Sequence, residues 1–179
     1  MLSLLQVKSF TDQWHQGTWR ARDLPDAIGA HVDWEAGGRN ILGVATAFPG
    51  GSEITLNRRI QGTLLEWPVL LHESAHIIQG DLLGLCGNAW AVRQCERDAT
   101  YGSSLLAIPS AAAVRFVSRH ASVYEMADYY EVPRALVYMR GALAVLMGET
   151  DGEPQAARAT LAYSRRSLDR WMTAVARSI

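Results

Sequence analysis

The sequence is poor in cysteine, in net charge and in long apolar runs, and each shortage excludes a class of protein. Its 179 residues include two cysteines, Cys86 and Cys95, which are too few for a disulfide framework and indicate reduced thiols. Seventeen Lys and Arg residues against 18 Asp and Glu residues leave a formal charge of -1, so no overall field favours nucleic acid or anionic lipid. Any binding must come from a local site.

The distribution of charged and apolar residues also predicts neither an export signal nor a membrane-spanning helix. Residues 1–10 have no basic region ahead of their apolar positions, and the longest uncharged stretch, 99–114, is shorter than a bilayer span. We therefore expect a cytoplasmic protein that makes no contact with a membrane. The length predicts one domain over residues 1–179.

The first third of the chain mixes helical and strand patterns. Residues 4–29 predict one or two short helices. The glycines of Pro49-Gly50-Gly51 allow the positive φ angles of a tight turn, so residues 43–57 are predicted to form a β-hairpin. Three short strands are expected in all, at 32–34, 41–48 and 54–56.

Beyond Gly62 the pattern becomes helical. One helix should begin at Thr63, which forms a capping-box pattern with Glu66, or near Trp67, and should end at Gly80. Further helices are predicted at 89–107, with Asn88 as its cap, at 111–119, as a pair within 123–147, and at 154–177. The fold class is therefore α+β, with a small antiparallel or mixed sheet of about three strands on a mostly helical body.

The helix that ends at Gly80 contains the sequence His72-Glu73-Ser74-Ala75-His76. Residues four apart share a helix face, so the two imidazoles can bind one zinc ion. Glu73 lies on the flank of that face, where it can act as a general base on water without becoming a ligand. Such a pattern arises by chance in roughly one such sequence in a hundred or fewer. Burying three ionisable groups in an otherwise apolar helix would be costly without a metal, so the segment predicts a metallopeptidase.

A catalytic zinc site usually has three protein ligands, so a third must follow. The metzincin arrangement is excluded, because Gln79 and Leu82 stand where that pattern needs glycine and histidine. Glu96, in the middle of the next predicted helix, is the best candidate, and Asp98 is the alternative. Positions two apart on a helix point in nearly opposite directions, so both cannot bind the same ion.

The segment around Glu96 resembles the ImmA/IrrE family of zinc metallo-endopeptidases. The sequences Glu96-Arg97-Asp98-Ala99-Thr100 and Leu105-Leu106-Ala107-Ile108-Pro109 are similar to the E-x-E-A-N and L-L-M-P segments of that family. They follow the HExxH sequence in the family's order and approximate spacing. Residues 54–57 and 126–133 are similar to the strand before it and a helical segment after it, so the resemblance covers about residues 32–148.

The resemblance implies a zincin-like HExxH helix, zinc as cofactor and endopeptidase activity. Its implied metal ligands are His72, His76 and Glu96, with Glu73 as the catalytic base. Members of the family cleave helix-turn-helix repressors in stress, phage or mobile-element regulation. A repressor is therefore the expected protein partner, and stress response or transcription regulation the expected role.

Two positions depart from the family pattern. Thr100 replaces an Asn that can orient a ligating histidine, a role for which Asp98 is a second candidate. Gly102 stands where an aromatic residue is usual. The residue that stabilises the oxyanion is not identified, and the candidates are Tyr101, His120, Tyr124, Tyr129 and Tyr130. We further expect the exposed edge of the hairpin 43–57 to bind an extended substrate as an added strand.

Two rival interpretations use other residues. Segment 126–140 resembles a helix-turn-helix with Ala127, Val132 and Val137 buried, which would make the protein a DNA-binding or protein-binding regulator with a non-catalytic metal site. This segment has no basic stripe, because its acidic residues offset Arg134 and Arg140.

The second rival is a closed structural site in which Cys86 and Cys95 join the two histidines, but it leaves Glu73 unexplained. Separately, the basic final helix is interpreted as amphipathic with a solvated face, and its arginines are Arg158, Arg165, Arg166, Arg170 and Arg177. The single domain is accordingly divided into a helix with a small sheet (1–62), metal-binding helices (63–110) and a helical C-terminal part (111–179).

Overall fold

The computed structural model describes residues 2–15, 23–38, 41–80, 88–119 and 121–178. These residues form a small sheet and a mostly helical body, so the predicted α+β class is confirmed. The elements are α1 (Leu2–Trp14), α2 (Leu24–Ala27), β1 (Ala30–Glu35), β2 (Gly43–Phe48), β3 (Gly51–Asn57), a 3-10 turn (Arg58–Ile60), α3 (Glu66–Gln79), α4 (Ala89–Ala107), α5 (Ser110–Arg119), α6 (Val123–Tyr129), α7 (Arg134–Leu146) and α8 (Pro154–Ser178).

The sheet is mixed and has the strand order β1-β3-β2. Strand β2 pairs antiparallel with β3, with Gly43 opposite Leu56 and Ala45 opposite Ile54, so the predicted hairpin is confirmed. Gly50 adopts φ 109° in its turn, a value that suits glycine. Strand β1 pairs parallel with the other side of β3. The outer edge of the hairpin is therefore β2 alone.

Helix α3 begins at Glu66, between the two predicted starts, and ends at Gly80, whose φ of 70° is the left-handed conformation of many helix ends. The Glu66 carboxylate accepts a hydrogen bond from the Gly62 N–H at 2.6 Å, which fastens the turn before the helix. Pro68 lies in the first turn, where a missing N–H leaves no intrahelical bond unmade. Asn88 caps α4 as predicted, accepting from the N–H groups of the second and third helical residues.

Helices α3 and α4 approach each other closely. A Cβ atom on Gly102 would lie 2.9 Å from the Ala75 Cβ and 3.0 Å from the Gln79 Nε2, so no larger residue fits without moving a helix. The Gln79 amide also donates to the backbone carbonyl of Asp98 at 3.0 Å. Gly102 therefore lies at the contact that brings α3 and α4 together.

The helix-turn-helix-like segment forms the end of α6, a turn and the first half of α7. Ala127, Val132 and Val137 are buried, as predicted. Helix α7 is itself buried along most of its length and packs against α4, α5, α6 and α8. Arg140, which the sequence analysis counts among the offset charges of this segment, is buried: its side chain is 1% exposed and donates to the Ile108 carbonyl at 2.9 Å.

Helix α8 connects the two apolar clusters of the described residues. Trp171 and Met172 pack against the helical cluster around α4 and α7 and also against the cluster between the sheet and α3. Leu161 and Leu168 are buried, in agreement with the predicted amphipathic pattern. In the described parts of the chain, no helix combines the length and the apolar character needed to cross a membrane.

Candidate metal centre

Three side chains that can hold a metal ion converge between α3 and α4. The His72 Nε2 atom lies 3.1 Å from the His76 Nε2 and 3.2 Å from the Glu96 Oε2. The third separation, from the His76 Nε2 to the Glu96 Oε1, is 3.6 Å. These are the three residues that the sequence predicts as ligands. The alternative ligand Asp98 is not in the group; its carboxylate lies 3.3 Å from the Arg97 Nε.

The separations suit a small tetrahedral ion. With metal–ligand bonds of about 2.0–2.1 Å, the donor atoms of a tetrahedral zinc site lie about 3.3–3.4 Å apart. The separations of 3.1 and 3.2 Å from the His72 Nε2 lie slightly below that value, whereas the 3.6 Å separation runs to the other Glu96 oxygen; with one donor atom per residue, the group lies within 4.8 Å. The rings of His72 and His76 meet at 80°, an edge-to-face arrangement in which two ring nitrogens point to one position. The three side chains could therefore hold one metal ion.

Glu96 is held in the anionic form that binds metal. Hydrogen bonds from His72 and His76 lower the pKa of its carboxyl well below the usual range, and these bonds outweigh the opposing effect of burial. The side chain is 49% exposed, so one side of the centre faces solvent. The candidate centre is thus open on one side.

Glu73 lies beside the three donors without belonging to their group. Burial raises the pKa of its carboxyl, and the nearby His72 and His76 act in the opposite direction. The Ala45 backbone N–H donates a hydrogen bond to the carboxylate, which links Glu73 to strand β2. A carboxylate in these surroundings binds a proton more readily than one in water.

Gly43 makes room for Glu73 and was not identified from the sequence. A Cβ atom at this position would lie 3.0 Å from the Glu73 Oε1 and 2.7 Å from the Val69 Cγ1. Glycine inside the predicted strand 41–48 is the signal that the sequence offers, because a glycine within a strand often marks a close approach of another group. Gly43 therefore lets β2 pass directly over the carboxylate.

A cleft of about 670 Å³ opens above the metal site, with walls from the start of β2, from α3 and α4, and from α8. Helix α8 contributes Arg165, Asp169 and Met172. The sequence placed Arg165 on a solvated face, whereas the structure places it in the cleft. The spacing of these three residues places them on one face of α8. The sequence does not show which part of the protein that face packs against.

Most of the other residues that the sequence singles out lie away from the metal donors or outside the described residues. Thr100 lines the cleft, and its hydroxyl donates to the Glu96 backbone carbonyl at 2.8 Å; its proposed contact with a ligating histidine stays a prediction. None of the four tyrosines considered as oxyanion donors lines the cleft. His120 and Cys86 lie outside the described residues, and Cys95 is not part of the metal-binding group.

Comparisons with known proteins do not identify this arrangement: no family model, no curated protein and no solved structure matches the chain. Its function must be argued from the site itself.

Proposed function

We propose that the protein is a zinc-dependent endopeptidase with a regulatory role. One observation carries the proposal: Glu73, which is not a ligand, is 7% exposed and lies directly beside three converging metal donors at the base of an open cleft. A purely structural metal site has no use for such a carboxylate. A hydrolytic site needs one as general base.

Zinc is the metal that the donor set favours. Two imidazoles and one carboxylate are the ligands of a common class of catalytic zinc site, and three protein ligands leave a fourth position for water or substrate. When bound, zinc supplies the Lewis acidity that activates water and polarises a carbonyl group. His72, His76 and Glu96 would hold it.

The protein's own part in the reaction centres on Glu73. Its carboxylate accepts a proton from the attacking water and returns it to the amine that leaves when the peptide bond breaks. The hydrogen bond from Ala45 and the tight space beside Gly43 hold the side chain in one position. Fixed geometry of this kind is what general-base catalysis requires.

The substrate is proposed to be an extended protein segment, for instance from a helix-turn-helix repressor. Strand β3 is paired on both sides, so an added strand can join the hairpin only at β2. The start of β2 also forms one wall of the cleft. A peptide bound along β2 would thus be directed past Glu73, with its main chain supplying most of the affinity.

The proposal is tested by metal analysis combined with cleavage of a peptide library and of a helix-turn-helix repressor. We expect the wild type and Glu73→Gln each to bind one zinc ion, with cleavage by Glu73→Gln slower by about 10²- to 10⁴-fold. Glu96→Ala should lose both zinc and activity. Glu125→Gln, on an exposed position of α6, is the control and should change neither.

Two results would count against it. Cleavage by Glu73→Gln at the wild-type rate would remove the general-base assignment. A wild-type protein that cleaves nothing would remove the peptidase assignment, and it would leave a regulator with a non-catalytic metal site as the alternative. Direct binding of DNA by the segment 126–140 has little geometric support, because α7 is buried on most of its length.

A further inference from the structure

The walls of the cleft carry three arginines and three acidic residues, and two of the acidic residues lie at the candidate metal site. Arg93 and Arg97 of α4 and Arg165 of α8 line it, together with Asp169. The other two acidic residues of the lining are Glu96 of the donor group and Glu73 beside it, and a divalent ion held there would offset their charges. Three guanidinium groups therefore share the cleft with one further carboxylate. This distribution favours a substrate that brings negative charge.

Of the three arginines, Arg165 is the one with a buried side-chain donor that no acceptor of the described residues reaches. Arg97 lies 3.3 Å from the Asp98 carboxylate, so part of its charge is used within the protein. Arg93 is exposed to solvent. The Arg165 side chain is half-buried, and its Nε atom is shielded from solvent without a hydrogen-bond partner among the described residues. A shielded donor of this kind is unfavourable until an acceptor reaches it.

Arg165 is also close to the reacting centre. Asp169 lies one helical turn further on the same face of α8 and is within electrostatic range of both Arg165 and the metal ligand His72. A substrate residue next to the cleaved bond would therefore lie between the metal site and α8. A substrate bound along β2 would be recognised through its main chain, which gives little selectivity for its sequence. Selectivity for particular substrate side chains must therefore come from the other walls of the cleft.

We propose that the cleft selects a substrate with Asp or Glu beside the scissile bond, and that Arg165 determines this specificity by binding the acidic side chain. A guanidinium group can donate two parallel N–H bonds to one carboxylate, which is stronger and more selective than a contact with a neutral amide. The inference rests on the proposed peptidase function. It adds a substrate class that the metal site alone does not specify.

The test measures binding and cleavage separately. Cleavage of a peptide library, read by mass spectrometry, first locates the scissile bond; matched peptides then carry Glu, Gln or Lys on either side of it. Binding to zinc-loaded Glu73→Gln protein is measured by fluorescence anisotropy, and kcat/KM is measured with the wild type. We expect both the affinity and the kcat/KM to be about tenfold higher for the Glu peptide than for the Gln peptide.

Substitutions at Arg165 decide whether this residue is responsible. Arg165→Gln should remove the preference, while Arg165→Lys should retain part of it. Arg165→Glu should transfer the preference to the Lys peptide. Arg166→Gln is the matched control, because it removes the same charge from the next, exposed position of α8 and should leave the preference intact. Zinc content and the unfolding temperature of each variant show that it is folded.

The outcomes separate this inference from the proposed function. Cleavage without a charge preference, or a preference that survives Arg165→Gln, overturns the role of Arg165 and leaves the peptidase assignment standing. Equal losses in Arg165→Gln and Arg166→Gln would indicate a general field and would also overturn it. Failure to bind or cleave any peptide overturns both proposals. Stronger competition by single-stranded DNA than by the Glu peptide would assign the arginines to phosphate binding instead.

Discussion

Two clusters of ionisable side chains among the described residues differ in whether their charges are balanced within the protein. The first, the charge network, joins α1, α5, α7 and the segment after α7: Arg140 Nη2 lies 2.7 Å from the Glu149 carboxylate, and Lys8 Nζ 3.4 Å from it. Ser110 donates to Asp12 at 2.9 Å. Two cations thus face two carboxylates.

The second cluster, the metal centre, has donors without a cation. Its two imidazoles and the Glu96 carboxylate converge, and among the described residues no Lys or Arg forms an ion pair with Glu73 or Glu96. The charge network pairs its charges within the chain and joins elements of the fold, with the Arg140 Nη1 as a buried donor that has no partner among the described residues. The candidate metal centre could hold a positive ion from outside the chain, and this is the difference between the two clusters.

The largest effect on stability is expected from Arg140→Met. The change leaves Glu149 buried without its nearest cation, which should lower the free energy of unfolding by about 3–5 kcal/mol. Zinc affinity should change by less than about twofold, since the two clusters share no residue. Denaturant unfolding of the metal-free protein and a zinc titration measure the two quantities. A large loss of zinc affinity would contradict the separation of the clusters.

His72→Ala should produce the opposite pattern. Zinc affinity should fall more than about 100-fold, because a ligand contributes more than the 10- to 100-fold typical of an outer-shell partner. The metal-free protein should lose less than about 1 kcal/mol, because the side chain is partly exposed. If unfolding of the metal-free protein instead resembled that of Arg140→Met, the histidine would be a structural residue.

A smaller effect on stability and on zinc affinity is expected when the spacing of α3 and α4 changes. Gly102→Ala and Gly141→Ala each place a methyl group in a tight helix contact, with the added Cβ of Gly141 lying 3.0 Å from Phe116, so each should cost about 1–3 kcal/mol. Only Gly102→Ala should also weaken zinc binding, by about tenfold, because it alone separates the metal-binding helices. Equal zinc affinities in the two variants would show that the centre tolerates this movement.

The smallest effect concerns pH. Burial, assisted by repulsion from Arg140, lowers the pKa of His15 to about 4 from its usual 6.5. The unfolded chain therefore binds more protons between these values, so this contribution to stability is complete above pH 6.5 and declines as the pH falls towards 4. His15→Gln should lose less stability than the wild type between pH 7 and 5. Identical losses would contradict the assignment.

Much of the local structure was predicted from the sequence because local chemistry determines it. Gly80 and Asn88 mark the end of α3 and the start of α4 through backbone conformation and capping, and Pro49-Gly50-Gly51 marks the hairpin. Two ligands lie one turn apart on a single helix. The third, Glu96, was chosen by its position in the next helix and by the family resemblance, and the structure brings it to the same point.

The parts that were not predicted depend on contacts between distant elements. The parallel pairing of β1 with β3 does not follow from strand patterns. The burial of Arg140 depends on Glu149, which follows α7 in the sequence and forms an ion pair with Arg140. The position of Arg165 depends on the packing of α8 beside the cleft. The sequence around each of these charged residues looks the same as the sequence around a charged residue on the surface. Their roles are set by the packing of helices, which a helix's own periodicity does not specify.

The most direct test of the metal centre is X-ray absorption at the zinc edge on the zinc-loaded protein. We expect one shell of nitrogen and oxygen ligands at about 2.0–2.1 Å and no sulfur shell at about 2.3 Å. His76→Ala should lose the imidazole signal of one ligand. A sulfur shell would instead assign the cysteines to the metal, and it would contradict the centre formed by His72, His76 and Glu96.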